Sequence, residues 1–124
     1  MISGLITSFI LNYAVSMAMP KLPEHPWGVY MTSYTLSSEY RRNEILTQLK
    51  NEGGGMIVFD IQESNGRLAY QSEIPLSKEL DMSGKTLGSK ENVRELIKYF
   101  HQNNIYVAAR FVVFKQGNLA QKKP

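Results

Sequence analysis

The sequence predicts an α/β fold built around a parallel sheet. Two apolar runs, Met56 to Ile61 (MIVFDI) and Ile105 to Phe114 (IYVAARFVVF), are hydrophobic on both faces. Strands of that kind belong to parallel sheets covered by helices. Amphipathic helical patterns separate the strand-like runs, giving the order β-α-β-loop-α-β, and right-handed crossovers would make the three strands parallel. A βαβαβ unit of this kind fits a doubly wound sheet and part of a (β/α)8 barrel equally well.

The first strand is expected over Trp27 to Leu36 (WGVYMTSYTL), which is rich in aromatic and β-branched residues. Ser37, Ser38 and Glu39 then read as a helix start. A hydroxyl satisfies free backbone N–H groups there, and an early acid suits the helix dipole. Ile45, Leu46 and Leu49 share one face of that helix. It should stop at Gly53-Gly54-Gly55, where glycine can adopt the left-handed cap.

Met56 to Ile61 forms the second strand. A polar segment follows, with a tight turn expected at Asn65-Gly66. Tyr70 to Leu76 is expected to be short and extended, with Pro75 arguing against a central strand. Asp81 to Gly88 reads as loop. Ser89 caps a second helix, on which Val93, Leu96, Ile97 and Phe100 fall at i, i+3, i+4 and i+7. Asn103-Asn104 stops it, and Ile105 to Phe114 is the third strand.

The chain has 124 residues, enough for one domain with a modest core. Hydrophobic residues make up 43% and charged residues 20%, a globular composition. The net charge is only +3. No basic stripe with interleaved aromatics is present, so nucleic acid is not an expected partner. There are no cysteines, which excludes disulfides and thiolate chemistry. His25 and His101 are far apart and lack ligand spacing, so no metal site is expected. No cofactor motif occurs either. The glycine triplet lies between a helix and the following strand, whereas phosphate loops run from strand into helix.

Residues 1–19 contain the uncharged stretch Ile2 to Met19, with small residues at Ala14, Ser16 and Ala18. This resembles a secretory signal peptide, although no Lys or Arg precedes the apolar run. A short membrane anchor is the competing reading. Either implies export, to a periplasmic, extracellular or membrane-anchored location. Residues 20–26 hold a Pro-rich linker, and 27–124 form the globular part.

Sites in parallel α/β folds form at the C-terminal ends of strands. The first strand offers Thr32, Ser33 and Tyr34. The second offers Asp60, Gln62 and Glu63, and the third Arg110 and Lys115. Asp60 interrupts an apolar strand, and Arg110 interrupts another. Burying an arginine costs several kcal/mol, to an order of magnitude, unless a carboxylate or carbonyls meet it. If the strands are neighbours, the two face one interior, either as a structural ion pair or as a pair at the mouth of a site. Tyr30, Tyr34, Tyr70 and Trp27 could stack on sugar rings or fill the core. Glycoside hydrolysis needs two carboxyl groups roughly 5–9.5 Å apart. Asp60 and Glu63 leave one strand end in different directions and do not read as that pair, so the catalytic residues are unassigned.

Three segments together, "GVYMTSYTL", "MIVFDIQESNGRLAYQSEIPL" and "IYVAARFVVFKQGNLAQKKP", resemble the start of a bacterial family assigned as glycoside hydrolases with a (β/α)8 barrel. The resemblance spans Trp27 to Pro124. It implies an Asp at the end of the second strand, followed by a Lys and an acid, then a Gly and a Tyr. Asp60, Gly66 and Tyr70 match, Glu63 stands where an Asp is common, and Gln62 replaces the Lys. Ala109, Arg110, Phe114 and Lys115 match the third-strand pattern. A further acid-bearing strand of the family lies downstream of the pattern matched here.

The resemblance therefore implies the first three strands and two helices of a truncated barrel. Its site-lining residues would be Tyr34, Asp60, Glu63, Tyr70, Arg110 and Lys115. The implied activity is hydrolysis of a polysaccharide or cell-envelope glycan, incomplete in this chain alone, with self-association through open sheet edges. The alternatives are a non-catalytic carbohydrate-binding or envelope-associated remnant, and a small α/β domain with an unrelated task.

Overall fold

The structure, a computed structural model, describes residues 19–113 and 116–122. Its elements in chain order are β1 (Gly28–Met31), α1 (Ser33–Ser37), α2 (Glu39–Asn51), β2 (Met56–Asp60), α3 (Pro75–Glu79), α4 (Lys90–Gln102), β3 (Tyr106–Arg110) and α5 (Gly117–Lys122). The three strands form one parallel sheet in the order β1-β2-β3. The fold class is therefore the expected α/β one, with β2 in the centre.

The period-two alternation divides the sheet into two unlike faces. Met31, Ile57 and Phe59 point to one side and pack with Leu36 and with Leu46 and Leu49 of α2. Val93 and Phe100 of α4 join that core, and all eight side chains are buried. On the opposite face stand Tyr30, Val58, Asp60, Ala108 and Arg110, which belong to no apolar cluster among the described residues.

Both long helices begin and end on the expected signals. The Ser38 hydroxyl accepts from the Arg41 amide at the start of α2, and that of Ser89 from the Asn92 amide at the start of α4. Past α2, Gly53 takes φ +76°, and past α4, Asn104 takes φ 57°. Both are the left-handed conformation that ends a helix and re-aims the chain. The Asn65-Gly66 turn also forms. Gly66 has φ +86°, and the Asn65 side chain accepts from the Arg67 amide at 2.9 Å.

Three elements differ from expectation. β1 ends at Met31 and not at Leu36, because the Thr32 hydroxyl accepts from the Thr35 amide and caps the one-turn helix α1. Pro75 does not sit in an extended segment but opens α3. Its missing N–H and fixed φ suit the first position of a helix. β3 stops at Arg110, since β2 offers it no partner beyond Asp60. Residues 111–113 carry no strand, so the apolar run outlasts the ladder. The signal-like segment, residues 1–19, lies outside the described residues except for Met19. Among the described residues no helix is long and apolar enough to cross a membrane.

Candidate functional site

The carboxyl ends of the three strands each contribute one polar side chain to a single cluster. Asp60 and Arg110 are register partners in the parallel ladder. Arg110 donates to Asp60 through both Nε and Nη2, the first to Oδ1 and the second, at 2.9 Å, to Oδ2. Tyr30 comes from the other neighbouring strand and donates its hydroxyl to Asp60 Oδ2 at 2.5 Å. The Arg110 guanidinium also lies over the Tyr30 ring, 4.9 Å from its centroid. The side-on fork is the geometry in which arginine grips a carboxylate most firmly.

The two charges sit in different environments. The Asp60 side chain is 10% exposed and that of Arg110 is 52% exposed. Arg110 is therefore not the buried charge that its apolar surroundings suggest. It sits on an outer strand, on the face that carries no helix, so its head group keeps water and the burial cost largely lapses.

Asp60 also acts on its partners' proton affinities. The hydrogen bond to Asp60 raises the Tyr30 phenol above its ordinary value, with burial and the carboxylate's charge adding and Arg110 opposing. Arg110's own hydrogen bonding to Asp60 raises its guanidinium further. Because the folded-state value of Tyr30 is raised, the neutral phenol contributes stability below the ordinary 10.0, and this is lost as pH rises through the folded value. Replacing Asp60 by alanine should bring the Tyr30 midpoint down toward 10.0. An NMR titration of the tyrosine rings checks this, and an unmoved midpoint would contradict the assignment of cause.

Glu63 takes a separate partner. Ser33, buried at the start of α1, donates its hydroxyl to Glu63 Oε1 at 2.9 Å. The turn after β2 fixes the Glu63 backbone, whose amide donates to Arg67 O at 2.7 Å and whose carbonyl accepts from Gly66. Glu63 still lies near enough for its charge to raise Tyr30 slightly.

Asp60, Glu63 and Arg110 thus gather at the strand ends. Tyr34 does not join them, for it lies in α1 with 73% of its surface exposed. Tyr70 packs against the hydrophobic core. Lys115 lies outside the described residues. Gln62 is fully buried, donates to Gly66 O at 3.0 Å and leaves Oε1 without a partner. Among the described residues no three His, Asp or Glu side chains converge as a metal site.

Sequence reasoning names Tyr30 only among the aromatics that could stack on sugar rings or fill the core, and takes Tyr34 for the site-lining set. The alternation of β1 could have found Tyr30, because Met31 faces the core and its neighbour must face Asp60's side. Among the described residues the cluster leaves binding capacity unused. Arginine has five N–H donors, of which the contacts to Asp60 use Nε–H and one on Nη2. The half-exposed ring of Tyr30 lies beside them. Directed donors next to an aromatic face suit a ligand rich in hydroxyls.

A parallel α/β sheet with polar groups at its carboxyl strand ends has the architecture of proteins that bind ligands there. The protein belongs to a family described as "Putative glycosyl hydrolase domain", whose model matches residues 28–124. It is also similar to the crystal structure of a hypothetical protein from Ruminiclostridium thermocellum ATCC 27405, with a TM-score of 0.68 and 31% sequence identity. That match covers 78% of this chain and 49% of the other, so the chain spans about half of that protein's length. No curated protein matches the chain.

Proposed function

We propose that the chain supplies the first three strands of a (β/α)8 barrel acting on a polysaccharide or cell-envelope glycan, with Asp60, Tyr30 and Arg110 lining a sugar subsite. The observation that carries this is the polar cluster on the sheet face without helices, in a chain of a glycosyl hydrolase family. In a barrel that face is the interior, and its carboxyl end is where substrate binds. The consecutive strand order β1-β2-β3, with its core on one face, supports the same reading.

Within the subsite Asp60 orients and does not transfer protons. Its Oδ2 already accepts from Tyr30 and Arg110, and its Oδ1 from Arg110. Three of a carboxylate's roughly four acceptor positions are thereby filled. Hydrolysis needs two carboxyl groups flanking the bond, and Glu63 is turned to Ser33. The acid and base would come from further strands of the barrel. Export, to the periplasm, the cell exterior or a membrane anchor, belongs to the same proposal and rests on the apolar stretch at residues 2–19.

Calorimetry of the 124-residue chain against a panel of neutral and acidic oligosaccharides tests the reading. Binding of one class without turnover is expected, weakened about tenfold or more in Arg110→Leu, as for loss of a charge-assisted hydrogen bond. Flat traces across the panel would overturn the carbohydrate reading. Release of reducing ends by this chain alone would overturn the division of labour.

A further inference from the structure

An open cavity lies on the helix side of the sheet and differs in chemistry from the Asp60 cluster. It holds about 340 Å3 between the end of α1 and the loop that precedes α4. Ser37, Arg42, Lys85, Thr86, Gly88 and Asn92 supply its polar lining, and no carboxylate lines it. Two cations and two hydroxyls therefore line it, with no carboxylate among its described lining residues.

Arg42 is the more informative cation. Its Nη1 donates to Leu36 O at 2.6 Å and its guanidinium lies 5.2 Å from the Tyr99 ring centroid. These contacts hold the head group in place without neutralising it. Arg42 Nε is buried and has no hydrogen-bond partner. Among the described residues no Asp or Glu pairs with Arg42. A fixed guanidinium whose charge no carboxylate among the described residues offsets suits an acceptor from outside the chain.

α2 and α4 begin next to Ser37 and Gly88 of the cavity, and each N-terminus carries the equivalent of about half a positive charge. Glu39 and Glu91 in their first turns offset part of that charge without lining the cavity. Gly88 adopts φ +72°, and a Cβ on it would lie 2.5 Å from Asn92 Nδ2. The backbone thus passes as close to the Asn92 amide as a glycine allows.

We propose that this cavity binds an oxyanion, either a phosphoryl group or a sugar carboxylate. Arg42 would grip it from the α2 side and Lys85 from the α4 side. α1 separates the cavity from the Asp60 cluster, with Ser33 on Glu63 at one end and Ser37 in the cavity at the other. The inference stands on the cavity's charge and does not depend on the glycan reading.

The test titrates the isotopically labelled full chain with inorganic phosphate and, separately, with glucuronate, at constant ionic strength. Saturable shifts of the Gly88 and Asn92 amides are expected with at least one of them. Tighter binding of phosphate identifies a phosphoryl ligand, and tighter binding of glucuronate a uronate. Lys85→Gln, an exposed position, should weaken the preferred anion about tenfold. Arg42→Met should weaken it at least as much. Should loss of the Leu36 and Tyr99 contacts unfold that variant, Lys85→Gln decides alone. Absence of saturable shifts with both anions, shifts confined to other regions, or unchanged affinity in Lys85→Gln would overturn the proposal.

Discussion

Phe59→Ala should lower the unfolding free energy by about 3–5 kcal/mol. Phe59 is 1% exposed on the central strand, between Met31 of β1 and Ala109 of β3 in the ladder. Removing its ring takes away a large apolar surface and leaves a cavity that the sheet on either side prevents from collapsing. Domains of this size hold about 5–15 kcal/mol in all, so the variant should lose a large share of its stability. The effect extends to the polar cluster, because Asp60 follows Phe59 on the same strand. Urea denaturation should show a lower midpoint with an unchanged slope. A loss under about 1 kcal/mol would mean that the site collapses freely and that β2 is not the keystone of the core.

Gly28→Ala should cost about 3 kcal/mol or more, which is severe for adding one methyl group. A Cβ on Gly28 would lie 1.8 Å from the carbonyl oxygen of Met56 and 2.5 Å from its carbon. These are backbone atoms of the neighbouring strand, so no side chain can turn aside. β1 would have to move away from β2 at its first ladder position, Gly28↔Met56. Gly53→Ala is the matched control. Nothing lies within 4 Å of a Cβ there, and only the φ of +76° opposes it, at about 1–2 kcal/mol. Thermal melts of the two variants side by side separate crowding from backbone strain. Equal melting points would contradict the close approach of the two strands at Gly28.

The elements that were legible in the sequence are those set by local chemistry. α2 and α4 follow from hydroxyl caps, an apolar face and a left-handed stop, all on or just beside one 13-residue helix each. β2 follows from its unbroken apolar run. What was not legible depends on partners distant in sequence. Whether Thr32 continues a strand or caps a helix cannot be read from WGVYMTSYTL, since the same aromatic and β-branched residues serve both. The end of β3 is set by the end of β2, not by its own apolar residues. The Asp60–Arg110 pairing was foreseeable from alternation once the strands were taken as neighbours. The exposure of Arg110 was not, because it depends on the neighbours an outer strand lacks. The choice of Tyr30 over Tyr34 beside Asp60 is not legible for the same reason as the end of β1, since the aromatic run gives no register.

The Tyr30–Asp60–Arg110 cluster also bears on how the molecule folds. Its contacts join residues 30 and 50 positions apart in sequence. Each waits for an entire strand-to-strand crossover to close, and closing long loops is slow. The cluster therefore forms only after both crossovers are in place, whereas α2 and α4 need no such wait. The Tyr30 phenol, whose titration depends on Asp60, thus reports when β1 has found β2. The Arg110 contacts add the docking of β3, so the complete cluster marks a sheet whose three separately made strands have come together.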